Sequence, residues 1–161
     1  LGSEFQVIEV LGHTLNHIAF YSASDKAPHS SLIVFGDALF SAVVVDYLKE
    51  ALSNAAFIRK LSSLPKEAEA YCAHEYTLSN LEFPVSLIPN NEALREYREE
   101  CKAKGKDETT LPSTIAIELK INPFLRAHDQ KLVLSLQTKN QRSAPDILSV
   151  FMATRKAKDH F

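Results

Sequence analysis

Residues 68–83 read AEAYCAHEYTLSNLEF, and the pattern of the chain changes within this stretch. Up to residue 73 the pattern is that of a short β-strand, and from there to the end of the chain the apolar residues recur at helical spacing. His74 stands at the change, directly after the strand. The stretch therefore predicts an α+β chain in which a sheet-forming part, residues 1–75, precedes a helical part, residues 76–161.

The sheet-forming part contains three short runs rich in β-favouring residues, separated by turn residues. These runs are residues 5–8, 18–21 and 32–35, and we interpret them as three strands. Residues 43–64 follow them without a single glycine or proline, and their apolar positions have helical spacing. We therefore predict a helix over residues 43–64, ended by Pro65.

The helical part has several recognisable helix starts. One helix is predicted to begin near Asn91, with Leu94, Tyr97 and Cys101 on one face, and another near Ser113. The last helix follows Ser143 and Asp146, which stand at the spacing of a capping box. Its predicted apolar face consists of Ile147, Leu148, Phe151 and Met152.

The composition excludes several classes of function. The 161 residues are 45% hydrophobic and 24% charged, as in an ordinary soluble domain, and the net charge of −2 provides no long-range attraction for nucleic acid or an anionic membrane. No apolar run approaches the length of a membrane span, so we expect a cytoplasmic protein or one of the mitochondrial matrix. Cys72 and Cys101 form no CxxC pair and are interpreted as buried thiols.

Three strand ends place candidate metal ligands near one another. His13 and His17 flank a turn between two predicted strands, Asp37 follows the strand in FGDALF, and His74 follows the strand in YCAHEYT. Imidazole and carboxylate suit zinc or iron, and a carboxylate can bridge two ions. From the residues alone the alternative stays open that the histidines are structural and Asp37 caps a helix.

Several segments, in order along the chain, resemble glyoxalase II, the hydroxyacylglutathione hydrolase of the metallo-β-lactamase superfamily. The resemblance covers the C-terminal two-thirds of that family. The segments are LGSEFQVIEVLGHTLNHI, similar to the stretch ending in GHTxGH; FGDALFS, similar to GDTLF; YCAHEYTLSNLEF; TLPSTIAIELKINPFLR; and the basic terminus RKAKDHF.

The resemblance implies a role for each metal candidate. His13 would bind the first ion, Asp37 would bridge both ions at the catalytic centre, and His74 would bind the second ion. His17 matches a histidine that supports the metal ligands by hydrogen bonding. The implied cofactor is a pair of zinc ions, or of iron or manganese, and the implied reaction is thioester hydrolysis.

The substrate that the resemblance implies is a glutathione thioester, S-D-lactoylglutathione, which would give D-lactate and glutathione. Tyr76 matches a tyrosine that hydrogen-bonds the glutathione moiety. Arg155 and Lys158 match cations that bind its glycine carboxylate, a charged acceptor that makes such bonds strong.

Two departures from the family stand out. The motif THxHxDH, which supplies the other four metal ligands, is absent from these 161 residues, and SAVVVDYLKEA at 41–51 replaces a glycine-rich loop. The implied fold is therefore the second half of an αββα metallo-β-lactamase-like domain followed by an all-helical C-terminal domain. A sheet with one open face would follow, and with it self-association or a partner chain.

Three hypotheses follow from the match and its gaps. The chain is a hydrolase, active only if another chain or segment completes the metal site; or it is a non-catalytic remnant that binds glutathione or a partner protein through its helical domain. The third is a helical interaction module whose sheet mediates oligomerisation. Metal content separates the first from the third, and glutathione binding separates the second from the third.

Overall fold

The computed structural model describes residues 4–10, 13–14, 16–24, 31–44, 58–105, 107–136 and 146–161. Within these residues the strands come first and most of the helices follow. The strands are β1 (Gln6–Glu9), β2 (Ile18–Ser22), β3 (Leu32–Gly36), β4 (Leu39–Phe40), β5 (Val43–Val44), β6 (Glu69–Cys72) and β7 (Ser113–Thr114). The helices are α1 (Thr77–Leu87), α2 (Glu92–Ala103), α3 (Ile115–Ile121), α4 (Gln130–Leu136) and α5 (Ile147–Asp159).

The main sheet has the strand order β1-β2-β3-β6-β7. β1, β2 and β3 pair antiparallel, β3 and β6 pair parallel, and β7 adds antiparallel to β6. The three strands predicted from the β-rich runs and the fourth at residues 68–73 are confirmed. The α+β class is confirmed too, because a mixed sheet precedes the helices of the second half of the chain.

The predicted helix over residues 43–64 is wrong at its start. Val43 and Val44 form β5, which pairs with β4 through Phe40 and Leu39, and helical backbone is described only over residues 58–62. The β-branched valines fit a pleated strand better than a helix, because their rotamers are restricted in a helix. The rest of the prediction, residues 45–57, lies outside the described residues.

Two helix starts also differ from the prediction. The helix expected near Ser113 begins at Ile115, because Ser113 and Thr114 first extend the sheet as β7, and the Thr114 hydroxyl then caps the helix. The last helix is capped by Asp146, whose carboxylate accepts from the backbone N–H of Ser149 at 3.0 Å. Asp146 is thus the N-cap itself rather than the N3 residue of a capping box that begins at Ser143. Ser143 lies outside the described residues.

The apolar face predicted for the last helix, α5, is only partly right. Val150, Phe151 and Thr154 are buried, whereas Ile147 is 49% and Met152 is 37% exposed. The buried stripe is therefore rotated toward Thr154, whose hydroxyl donates to the carbonyl of Val150 and needs no other partner. The helix from Asn91 is confirmed, with the Asn91 side chain accepting from the N–H of Leu94.

One hydrophobic cluster joins the sheet to the helices. Ile33 and Phe35 of β3 lie in it with Phe83 of α1, Phe124 and Phe151. The ring centroids of Phe124 and Phe151 lie 5.3 Å apart at a steep angle, an edge-to-face contact. Each fully buried phenylalanine contributes about 2–3 kcal/mol of hydrophobic stabilisation.

No helix in the described parts of the chain has the length and apolar character to cross a membrane.

The other face of the sheet is open. Val7, Phe20 and Val34 are directly opposite one another across β1, β2 and β3, and they are 56%, 42% and 39% exposed. Their neighbours in sequence point to the helices and are buried, as Ala19 and Ile33 show. The expected self-association or partner chain at this face stays a prediction.

Candidate metal centre and substrate site

The candidate metal ligands lie at one edge of the sheet. β3 and β6 run parallel, so both present their carboxyl ends at the same edge, and Asp37 and His74 follow these ends. The backbone N–H of Ala73 donates to the carbonyl of Gly36 at 3.0 Å and holds the two ends together. His13 lies in the turn between β1 and β2, next to them.

The two imidazoles face different oxygens of one carboxylate. His13 Nε2 lies 3.9 Å from Asp37 Oδ2, and His74 Nε2 lies 3.7 Å from Asp37 Oδ1. These gaps are wider than hydrogen bonds. The side chains are partly exposed, Asp37 to 33%, so water and small ions reach them. The structure thus brings together the three residues for which the family resemblance implies a role as metal ligands.

This donor set fits divalent cations only in part. Two bonds of about 2.1 Å at a wide angle span about 3.6 Å, which matches both gaps, and a carboxylate facing two imidazoles is a chemically sound bridge. Among the described residues, however, no group of three or more His, Cys, Asp or Glu side chains is arranged around one point. Each of two ions would have two ligands from this chain, with Asp37 shared between them.

His17 supports this edge through the backbone. Its Nε2 lies 2.9 Å from the carbonyl oxygen of Phe35, and its ring meets that of His13 edge to face at 5.6 Å. The contact fixes the end of β3 immediately before Gly36 and Asp37. The role inferred from the sequence, support of a ligand by hydrogen bonding, stays a prediction, and the structure places His17 where it can perform it.

Gly36 is required at the turn that leads into Asp37. Its φ is +57°, and a Cβ atom there would lie 3.2 Å from His17 Nε2. We expect Gly36→Ala to lower the free energy of unfolding by about 1–2 kcal/mol, since only glycine adopts this backbone readily. Urea unfolding followed by circular dichroism measures the loss.

Gly105 provides the matched control for this substitution. A Cβ at Gly105 would only touch Glu108 Cγ at 4.0 Å. Gly105→Ala should therefore change stability by less than about 0.5 kcal/mol. Equal effects of the two substitutions would contradict a special requirement at Gly36.

An aromatic cluster lies beside the candidate metal ligands. The rings of His74 and Tyr76 stack at 5.2 Å with an interplanar angle of 19°, and Phe40 contacts both, at 6.0 Å and 5.6 Å. Tyr76 is 51% exposed, so its hydroxyl is available to a ligand. Phe40 was missed in the sequence, although its position three residues after Asp37 placed it at the same edge.

Glu75 is a second residue that sequence reasoning missed. Its carboxylate accepts from the hydroxyls of Thr110 at 2.7 Å and Thr109 at 3.1 Å. Hydrogen bonds from the backbone N–H and hydroxyl of Thr110 hold the pKa of Glu75 below its ordinary value. Because Glu75 lies between His74 and Tyr76, these bonds fix the loop that carries both. Its position between two candidate site residues was the sequence signal that could have identified Glu75 as part of the site.

The candidate cations Arg155 and Lys158 lie on the last helix, α5. Lys158 Nζ lies 5.3 Å from the centre of the Phe83 ring and 5.2 Å from that of Phe161. Burial lowers the pKa of Lys158, and the charge of Arg155 lowers it further. In the described structure no hydrogen bond, ion pair or ring contact joins either cation to Tyr76.

A family model, several curated relatives and a solved structure match this chain. A family model, the hydroxyacylglutathione hydrolase C-terminus, matches residues 75–161. Hydroxyacylglutathione hydrolases of Shewanella baltica, Psychromonas ingrahamii and Albidiferax ferrireducens are 39%, 40% and 41% identical over 100%, 97% and 100% of this chain. A crystal structure of a metallo-beta-lactamase from Staphylococcus aureus aligns over 94% of this chain and 38% of its own, at 13% identity and a TM-score of 0.45.

The chain spans about three-fifths of the length of these relatives: 60%, 59% and 63% for the three enzymes named. The family model matches more than half of the chain, and it includes Tyr76, Arg155 and Lys158. The protein is thus a member of the hydroxyacylglutathione hydrolase family.

Proposed function

We propose that this chain binds glutathione thioesters and carries one part of the metal centre that hydrolyses them, with a 2-hydroxy acid such as D-lactate and glutathione as products. The observation that carries the proposal is the pair of imidazoles, His13 and His74, facing the two oxygens of Asp37. Residues 1–75 would supply these ligands and residues 76–161 would bind the glutathione moiety.

The chemistry assigns a role to each residue. Divalent cations held by His13, Asp37 and His74 would supply Lewis acidity toward the thioester carbonyl and make a water molecule more acidic. In the hydrolysis, water adds to the carbonyl carbon and the C–S bond breaks, which releases a thiol and a carboxylic acid. Tyr76, exposed beside His74, donates a hydrogen bond to the glutathione part of the substrate.

The two-ligand count per ion supports weak metal binding by the isolated chain. Catalytic zinc sites have three protein ligands as a rule, and here each ion would have two, one of them shared. The isolated chain is therefore a slow hydrolase that depends on added metal. Ligands donated by a second polypeptide would raise both occupancy and rate.

Metal content tests this proposal directly. Protein purified without chelator is analysed by plasma mass spectrometry, beside His74→Ala and the control His128→Ala, which removes an exposed histidine. We expect fewer than two ions per chain in the wild type and in the control, and a clear reduction in His74→Ala. The rate of S-D-lactoylglutathione hydrolysis, followed as released thiol, should rise with added zinc. The rise should be similar in the wild type and His128→Ala and smaller in His74→Ala.

Two outcomes would overturn parts of the proposal. Equal metal content in the wild type and His74→Ala would remove the assigned metal centre. Two tightly bound ions with rapid turnover would instead show that ligands beyond these three complete the site.

A second candidate function is glutathione binding without catalysis. It is favoured by the same count of two ligands per ion and by the arrangement of Arg155 and Lys158 on α5. Metal-free protein that binds glutathione in calorimetry, with no hydrolysis at any zinc concentration, would support this function over the first.

A further inference from the structure

The cation Arg155 is held by an acidic neighbour one helical turn away. Both Nε and Nη2 of Arg155 donate to Oδ1 of Asp159, the former at 3.1 Å. The Arg155 side chain is only 21% exposed, whereas that of Asp159 is 56% exposed. Asp159 therefore holds the edge of the guanidinium group that is formed by Nε and Nη2. The Arg155 side chain as a whole is largely buried.

This arrangement leaves the other edge of the guanidinium for a ligand. The group is planar and has five N–H donors, and its two edges can each engage one carboxylate. The structure, in its described part, gives Nη1 of Arg155 no hydrogen-bond partner. A guanidinium already fixed in orientation loses less side-chain entropy when it binds a second anion.

Lys158 lies on the same side of α5. It is three residues from Arg155, and residues at this spacing are neighbours on a helix surface. The rings of Phe83 and Phe161 limit the movement of its ammonium group. Two cations fixed next to each other repel, and an anion shared between them relieves that repulsion.

The spacing along α1 suits a tripeptide. Tyr76 is the N-cap of α1, and Phe83, which contacts Lys158, lies seven residues later. At 1.5 Å per residue this is about 10 Å, close to the length of an extended tripeptide. Tyr76 and the Phe83 ring that Lys158 contacts are thus about one tripeptide length apart along the axis of α1.

We propose that Asp159 is a positioning residue, which holds Arg155 so that its free edge, beside Lys158, receives the terminal carboxylate of a glutathionyl ligand. This inference rests on the proposed function, because it assumes that Arg155 binds the ligand. In this proposal Asp159 strengthens binding of the anionic ligand, which is opposite to the effect expected from its negative charge alone. By its charge alone, an aspartate near an anion site weakens anion binding, and its removal strengthens it.

The test is calorimetric titration of the full chain with reduced glutathione and with an analogue whose glycine carboxylate is an amide. We expect Asp159→Asn to weaken binding of glutathione about fivefold, as expected when one side chain must be ordered on binding. Binding of the amide analogue should be the same in both proteins. Asp159→Glu, which keeps a carboxylate, should recover most of the affinity.

A purely structural effect is separable from this one. Asp159 lies at the C-terminal end of α5, where a negative charge is unfavourable to the helix dipole. Asp159→Asn should therefore keep the thermal midpoint within about 2 °C of the wild type. Unchanged or tighter glutathione binding in Asp159→Asn would overturn the inference.

Arg155→Gln distinguishes failure of the inference from failure of the proposed function. If it reduces glutathione affinity more than tenfold while Asp159→Asn leaves the affinity unchanged or raises it, the proposed function stands and the role of Asp159 is refuted. If neither the wild type nor Arg155→Gln binds glutathione, both the proposed function and the inference are overturned.

Discussion

Replacement of Glu118 by alanine is expected to lower the free energy of unfolding by about 4 kcal/mol. Glu118 has no solvent exposure, and its carboxylate accepts hydrogen bonds from Ser113 Oγ at 2.7 Å, Asn122 Nδ2 at 3.0 Å and the backbone N–H of Ala42 at 3.1 Å. Alanine leaves three buried donors without an acceptor and adds a cavity.

The hydrogen bond between Ala42 and Glu118 links α3, the helix that carries Glu118, to the candidate metal centre. Ala42 has a φ of +68°, unusual for a residue other than glycine, and it follows the segment that carries Asp37 and Phe40. The bond from its N–H to Glu118 stabilises that backbone. Loss of Glu118 should therefore also displace Phe40 from the rings of His74 and Tyr76.

Glu118→Gln is the matched variant for this prediction. Glutamine keeps the volume, one oxygen can still accept from Ala42 and Asn122, and the Ser113 hydroxyl can turn to accept from its amide. We expect a loss below about 1.5 kcal/mol. Urea unfolding followed by far-UV circular dichroism suits this chain, which has no tryptophan. Equal losses for alanine and glutamine would contradict the assigned hydrogen bonds.

The stability of the wild type should depend on pH in a way that the stability of Glu118→Gln does not. Burial raises the pKa of Glu118 above its ordinary value of 4.5, against hydrogen bonds from Asn122 and Ser113 that lower it. The unfolded chain then loses this proton at a lower pH than the folded chain. The contribution of Glu118 to stability therefore falls as pH rises from about 4.5 to its folded pKa. The stability difference between the wild type and Glu118→Gln should show this slope.

The strands were predictable because alternation and burial agree in them. β1, β2 and β3 bury one face against the helices, so the period of two appears in the sequence, as in the buried Ala19 between Ile18 and Phe20. The helix α2 was predictable from Asn91, whose side chain caps it.

The errors fell where local pattern does not determine structure. Val43 and Val44 belong to an apolar run that fits either a helix or a strand, and only their pairing with β4 decides between them. Two-residue strands such as β7 carry no period at all. Glu118 was missed because a glutamate in a helix is normally exposed, and its burial depends on Ala42, 76 residues away.

The candidate site was predictable to the extent that it consists of motifs. His13, Asp37 and His74 each follow a strand, so their meeting at one edge could be anticipated from the sheet topology. The residues that fix them could not, because Glu75 acts through Thr110, a residue 35 positions away. Asp159 had a usable signal, the spacing of four residues from Arg155.

Replacement of Asp37 by asparagine is expected to weaken zinc binding by more than about 100-fold. Loss of an outer hydrogen-bond partner of a ligand already costs about 10–100-fold, and Asp37 is itself the carboxylate that both His13 and His74 face. In the proposed metal centre, His74→Ala would remove a ligand of one ion, whereas Asp37→Asn would affect both. Metal content and zinc titration should rank the proteins wild type, His74→Ala, Asp37→Asn.

Asparagine keeps the shape of the side chain, so the fold is expected to persist. Asp37 is one-third exposed and follows β3 rather than lying in the core, and its thermal midpoint should stay within about 3 °C of the wild type. The amide oxygen still accepts hydrogen bonds but lacks the charge that a shared ligand must supply to two cations. Zinc affinity equal to that of the wild type would therefore exclude Asp37 as a bridge and leave the two imidazoles as surface histidines.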